Sequence, residues 1–343
     1  MKGLWKYIAP FAPDQSGAAA VLYGLGGIVV ICDAGGCAGN ICGFDEPRWF
    51  SGKKSAVFSA GLRDMDAILG RDDRLVHKLC AAAQEIDAAF AAIVGTPVPS
   101  VIATDYTGLR RMAEKQLSIP VLTIDTTGMT TYDTGIIKAF HALLETFTDR
   151  TVQRKKGVVN VLGAIPLDMR HPADLDCIRP RLRREGWDTI RLGDTLDDYI
   201  HAGEAEKNIA LSPAGLAAAQ WLQRTFGTPY ECRYFGLETL VEQVQAVQAK
   251  KILIIHQQIG ANALREMLEG TTTAAITVAT WFLRDEGCCC DGDIQLREED
   301  DFCVLADNDE FDCIIGDAYF KKALPHFKGT FIDFPHFAVS GRT

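Results

Sequence analysis

The segment ICDAGGCAGNICG, Ile31 to Gly43, carries Cys32, Cys37 and Cys42 at five-residue intervals in a glycine-rich turn. The run before it, GGIVVIC, is short, continuous and rich in Val and Ile, and reads as a strand buried on both faces. A strand opening into such a turn is where an open parallel sheet presents its ligand loops, beyond the carboxyl ends of its strands. Three chemistries suit the turn. Its glycines could cradle a phosphate, its thiols could hold a metal, or the cysteines could pack as small apolar residues. The phosphate reading is the poorest: AGGCAG does not match G-x-G-x-x-G, and no acidic residue stands at the right distance after the next strand.

The pattern around that turn repeats along the chain. Further short apolar runs are read as strands at Ala89–Val94, Pro120–Ile124, Val158–Leu162, Asp188–Leu192, Asn208–Leu211, Pro229–Arg233, Lys251–His256, Ala275–Thr280, Asp301–Ala306, Asp312–Ile315 and Thr330–Asp333, with Gly27–Cys32 as the first. Between them lie stretches such as DDRLVHKLCAAAQEIDAAFA and LVEQVQAVQAK, with apolar residues at helical spacing. This alternation predicts an α/β fold with mainly parallel sheets. The polar, basic TDRTVQRKKG segment and the helix leading to Lys251 divide the chain into three such units, 1–150, 151–247 and 248–343. Loops after strands carry GTPVPSVIATDY, GAIPLDMRHP, SPAG and HQQIGANA, so a cleft lined by these loops is expected.

The bulk properties narrow the function classes. A formal net charge of −10 opposes nucleic-acid binding, which needs a basic face. No run reaches the ~18–20 apolar residues of a membrane helix. The N-terminal MKGLWKYIAPFAPDQSG lacks a secretory core and cleavage site, so a cytoplasmic location is expected. Eleven cysteines at irregular spacing do not form a disulfide framework and point to metal or redox chemistry, or to buried small hydrophobes. Packing is the expectation for Cys80, Cys177, Cys232 and Cys313. There is no G-x-x-x-x-G-K-[ST], so the chain is not itself a P-loop ATPase.

Six segments, in order, resemble one family: component 1 of nitrogenase and its relatives, which include the molybdenum–iron protein subunits, cofactor-assembly scaffolds and dark-operative protochlorophyllide reductase subunits. ICDAGGCAGN is similar to the family's first cluster loop, with Cys37 on its ligand cysteine. FSAGLRDMDAILGRDDRLVHKL, AAIVGTPVPSVIATDYTGL, GVVNVLGAIP, ALSPAGLAAAQWLQRTFGTPYECRYFG and FIDFPHFAVSGR resemble later family segments. The resemblance implies three Rossmann-like domains around a central cleft. It also implies an iron–sulfur cluster at a subunit interface and a separate ATP-dependent iron protein as electron donor.

The departures are specific. The family's early cluster cysteine falls near Phe11 to Gln15, where there is none, and its later one falls on Pro97. The cysteine that anchors the cofactor of the molybdenum–iron protein corresponds to Ser212. True dinitrogen reduction is therefore not expected. A [4Fe–4S] centre takes four thiolates. Two copies of the loop, set about a two-fold axis, would offer Cys37 and Cys42 twice, with Cys32 left as a buried thiol. A related subunit could stand in place of the second copy. Arg170, Ser212 and His256 are the candidate cleft residues for a substrate or further metallocofactor. His171 and His336 are also placed on cleft loops, as proton donors or anion contacts. Asp105 and Tyr106 occupy family acidic positions, although a helix cap explains Asp105 as well. Cys288, Cys289 and Cys290 form a second cysteine-rich loop, either metal-capturing or merely exposed. The expected function is an electron-transferring subunit of a nitrogenase-like two-component reductase. The alternatives are a scaffold or carrier for metallocofactor assembly, and a degenerate partner subunit that completes a heterodimer.

Overall fold

A computed structural model describes residues 5–52, 55–308 and 311–342. The ends of the two outer expected units, residues 1–4 and 343, lie outside the described residues. Thirteen strands are seen among them: β1 Ile28–Ile31, β2 Ala56–Ser59, β3 Ala91–Val94, β4 Val121–Ile124, β5 Lys155–Leu162, β6 Thr189–Arg191, β7 Ala205–Ala210, β8 Tyr230–Cys232, β9 Lys251–Ile255, β10 Ala275–Thr280, β11 Ile294–Gln295, β12 Cys313–Gly316 and β13 Thr330–Asp333. They form three sheets, ordered β2-β1-β3-β4, β6-β5-β7-β8 and β11-β10-β9-β12-β13. Each paired ladder is parallel. The fold is α/β with three Rossmann-like sheets, as the alternation of apolar runs and helical stretches predicts.

The central strands β1 and β3 of the first sheet are apolar and wholly buried, as strands covered by helices on both faces are. Two strands stand outside the expected set. The edge strand β2 is half exposed, and β11 is only two residues long. One expected strand is a helix: Asp301–Ala306 lies within Glu299–Asn308. Phe302 and Ala306 are buried four residues apart while Val304 between them is exposed, which is helical periodicity. Glu299 begins that helix, and its buried carboxylate accepts the backbone N–H groups of Lys6, Tyr7 and Ile8.

The three units share one apolar core. It runs without a break from Val29 and Phe90, through Ile136, Leu162 and Ala214, to Leu253, Phe282 and Phe320. Its tightest contact joins the helices Asp14–Leu22 and Tyr132–Phe147. A Cβ on Gly17 would lie 1.8 Å from Tyr132 O, and one on Gly135 would lie 1.8 Å from Asp14 O. Only glycine permits this backbone-on-backbone crossing. It carries Tyr132, at the start of its helix, to the meeting point of the three sheets.

Candidate functional site

The cysteine turn is built from its first residues onward. After β1, Cys32 is buried and its carbonyl accepts Thr96 Oγ1 at 2.8 Å. The buried carboxylate of Asp33 accepts Ala38 N at 2.8 Å and Ser59 Oγ at 2.6 Å, tying the turn to the end of β2. Gly35, at φ +121°, makes the reversal into the short helix Gly36–Asn40, which continues as a π-turn over Ile41–Asp45. Cys37 and Cys42 are half-buried on consecutive turns, both free thiols. Around them, a Cβ on Gly36, Gly39 or Gly43 would meet nothing within 4 Å, and none of the three has a positive φ. The chain's own packing and backbone therefore do not require these glycines.

The thiols differ in character. Burial, followed by Asp72 and Asp33, pushes Cys32 up to about 12, so it stays protonated at neutral pH. Burial also raises Cys37, with Asp33 adding to the effect and Thr96 opposing it. Cys42 is raised by burial and then by Glu46. Thiolate ligation at either position would release a proton. Among the described residues, no group of three or more His, Cys, Asp or Glu side chains is arranged to hold a metal ion. One chain thus offers two accessible thiols on a turn with open space beside it. That set suits half of a four-thiolate iron–sulfur centre by donor chemistry.

A second constellation lies where the three sheets meet. Tyr132 Oη donates to Asp168 Oδ1 at 2.8 Å and lies 3.0 Å from His336 Nε2. His336 stacks on His256 with ring centroids 4.4 Å apart, and His256 stacks in turn on Phe334 at 4.0 Å. His256 Nε2 lies 3.0 Å from Pro335 O, which fixes its proton on Nε2 because a carbonyl only accepts. The Tyr132 hydroxyl thus links His336 to Asp168 in one hydrogen-bonded chain. All four side chains are buried.

Burial pushes the Asp168 carboxyl up to about 7, against the pull of Ser212 and Tyr132 beside it. Burial drives His256 down to about 4. It drives His336 well below the ordinary range too, with His256 the next cause. At neutral pH the two imidazoles are uncharged, and Asp168 sits near its midpoint. The arrangement can hold one proton and move it along three side chains.

The expected site residues divide among places. Ser212 caps the helix Pro213–Phe226, with Oγ accepting Gly215 N at 3.2 Å, and it adjoins Asp168. His256 is in the stack. Arg170 stands at the edge, half-buried and paired with Asp174 at 3.0 Å. His171 instead lines a cavity of about 610 Å³ with Arg48, Arg179 and Asp194. Asp105 accepts Gly108 N at 3.0 Å as a helix cap. Cys37 and Cys42 are on the first unit, and Cys288–Cys290 follow β10 on the third. The sequence alone does not mark Tyr132 or Asp168. Asp168 stands in GAIPLDMRHP, where Arg170 and His171 draw the eye, and nothing local marks Tyr132.

The family model for nitrogenase component 1 type oxidoreductases matches residues 14–277. The chain belongs to that family. Two solved structures share its fold. One, titled "Nitrogenase Cp1 at pH 6.5", superposes with a TM-score of 0.72 at 13% identity, covering 97% of this chain and 87% of that one. The other, "Nitrogenase Cp1 at pH 5", gives 0.71 at 14% identity, covering 98% and 85%. No curated protein matches the sequence. No described helix is long and apolar enough to cross a membrane.

Proposed function

We propose that this chain is a nitrogenase-like component 1 subunit that shares an iron–sulfur cluster with a second subunit. It would pass low-potential electrons, supplied by a separate ATP-dependent iron protein, toward a substrate or metallocofactor. The observation that carries the reading is the turn bearing Cys37 and Cys42. Gly36, Gly39 and Gly43 have open space where a Cβ would stand and no backbone need to be glycine. Glycine inside a helix costs roughly 0.5–1 kcal/mol relative to alanine. Residues so placed serve whatever packs against the turn. Two thiols per chain, doubled by a two-fold axis, make the four-thiolate set of a [4Fe–4S] cluster; a related subunit would make a heterodimer in the same way. When bound, the cluster supplies one-electron transfer, and the chain's own part is to hold it and exclude water.

Exposed apolar side chains support the same face. Phe44, 75% exposed, lies within the turn after β1, and Phe50, 72% exposed, follows it. Ile68 and Leu69 follow β2, Val101 and Ile102 follow β3, and Met129 follows β4, all exposed. Because the four strands are parallel and adjacent, these segments all leave from the same end of the sheet. Apolar surface gathered there suits a subunit interface.

A scaffold or carrier without turnover is the second reading. It is favoured by the closed junction, where Ser212, His256, Asp168 and Tyr132 are all buried. An anoxic multiple-turnover assay, with an ATP-dependent iron protein as donor and one-electron acceptors as probes, separates the two. Sustained ATP-coupled reduction supports the reductase. A reduced cluster with no turnover supports the scaffold.

A further inference from the structure

Outside the closed junction, a cavity of about 750 Å³ opens between the first and third units. Its size falls within the roughly 300–1,000 Å³ of small-molecule sites. It lies where parallel sheets bind ligands, because its walls include segments that follow strands: 128–131 after β4 and 281–284 after β10. Both segments are held from behind. The buried carboxylate of Asp14 accepts Thr127 N at 2.9 Å and Gly128 N at 2.7 Å, and that of Asp133 accepts Leu283 N at 2.5 Å.

Three features of the wall define an occupant. The first is aromatic. Trp5 and Phe11 are half-buried, with ring centroids 5.2 Å apart, and Phe11 packs in turn on Trp281 at 5.4 Å and on Phe282 at 5.2 Å. All four rings line the cavity. The second is charge. Arg284, Arg297 and Glu286 line it too, which leaves one net positive charge on a chain whose net charge is −10. Arg284 is engaged, by Glu286 at 3.0 Å and by Asp293 O at 3.2 Å. The exposed Arg297 guanidinium has no partner among the described residues; only its backbone N–H is taken, by Asp301. The third is an unfilled donor. Trp281 is 8% exposed, and its Nε1 has no acceptor among the described residues. An unpaired buried donor is costly, so an acceptor from outside the chain suits this wall.

We propose that this cavity binds a planar aromatic monocarboxylate, with its rings against Trp5 and Phe11 and its carboxylate on Arg297. Aromatic rings favour offset and edge-to-face contacts with one another. A guanidinium fork matches a carboxylate and holds it through two parallel hydrogen bonds. One net positive charge balances a monoanion and leaves a dianion in excess. The ligand would lie one ring from the buried hydrogen-bonded chain, since Phe282 meets Tyr132 edge-to-face at 5.3 Å and His336 at 4.7 Å. Binding requires neither the cluster nor an electron donor, so its test is separate from that of the cysteine turn.

The test is isothermal titration calorimetry of the full chain with 2-naphthoate, 2-naphthamide and 2-naphthyl phosphate. The carboxylate should bind once per chain with a Kd below about 1 mM. The uncharged amide should bind at least about tenfold more weakly, and the phosphate no more tightly than the carboxylate. Arg297→Gln should weaken 2-naphthoate about tenfold, while Arg224→Gln, the same change at the end of a helix in the second unit, should leave it unchanged. Both arginines are exposed, so neither variant disturbs the core. Trp5→Leu should weaken binding as well, through the lost ring contact. Absence of saturable binding, an amide that binds equally well, or a phosphate that binds more tightly would overturn the proposal. So would parent affinity in Arg297→Gln or Trp5→Leu, or an equal loss in Arg224→Gln.

Discussion

Asp168 is buried beside Tyr132 and Ser212, and its proton affinity is set by that burial more than by its neighbours. Its carboxyl moves from an ordinary 3.8 up to about 7. Between those values the native chain binds a proton that the unfolded chain has lost, so this group's contribution to stability falls as pH rises through the window. His256 and His336 act in the opposite sense. Their depressed affinities mean that the unfolded chain takes up protons first as pH falls, and stability declines below about 6.5. Comparing the parent with Asp168→Asn cancels the histidine contribution and isolates the carboxyl. From about pH 5 to pH 7, unfolding measurements should show the variant gaining about 2 kcal/mol relative to the parent, then a plateau. A pH-independent difference would mean that Asp168 is not protonated in the native state.

Two glycine substitutions predict opposite outcomes at the scale of elements. Gly17→Ala places a methyl group 1.8 Å from Tyr132 O and must part the two central helices. Overpacking of this kind costs about 1–3 kcal/mol, and backbone on the far side cannot yield as a side chain would, so the upper end is expected in chemical denaturation. Gly39→Ala meets nothing within 4 Å, and in the isolated chain it should be neutral or stabilising by up to about 1 kcal/mol. In the assembled protein the same methyl stands on the face assigned to the partner. Sedimentation should therefore show weaker subunit association at unchanged or higher monomer stability. If Gly39→Ala leaves association untouched, nothing packs against that turn.

The contrast between these glycines also shows how much the sequence reveals. Strands buried on both faces, such as Ile28–Ile31, announce themselves as apolar runs, and three sheets follow from their alternation with helices. Asp301–Ala306 misleads because DFCVLA is a short, nearly continuous apolar run like those of the buried strands, while its real period is set by Phe302 and Ala306 packing into the core. The thiol turn is legible because its residues are contiguous. The junction is only half legible: Ser212 and His256 stand at strand ends, where ligand loops are sought. Tyr132 and Asp168 join them through tertiary packing, by way of a helix crossing that no local pattern encodes.

At the scale of the whole molecule, three sheets share one continuous core and one buried hydrogen-bonded chain, while most of the large apolar side chains left exposed belong to segments that follow the strands of the first sheet. The segment after β1 carries Cys37 and Cys42, and the account rests on what the two thiols hold. The most direct measurement is iron and sulfide content with electron paramagnetic resonance on the anoxically purified parent, Cys37→Ser, Cys42→Ser and Cys32→Ser proteins. The parent should carry about four irons and four sulfides per two subunits. In a symmetric dimer, each of Cys37→Ser and Cys42→Ser removes two ligands, so iron content and the reduced-cluster signal should collapse in both. Cys32→Ser should remain nearly intact, because its thiol is buried and protonated. Full iron retention in Cys37→Ser, or a parent that holds no iron, would contradict the account.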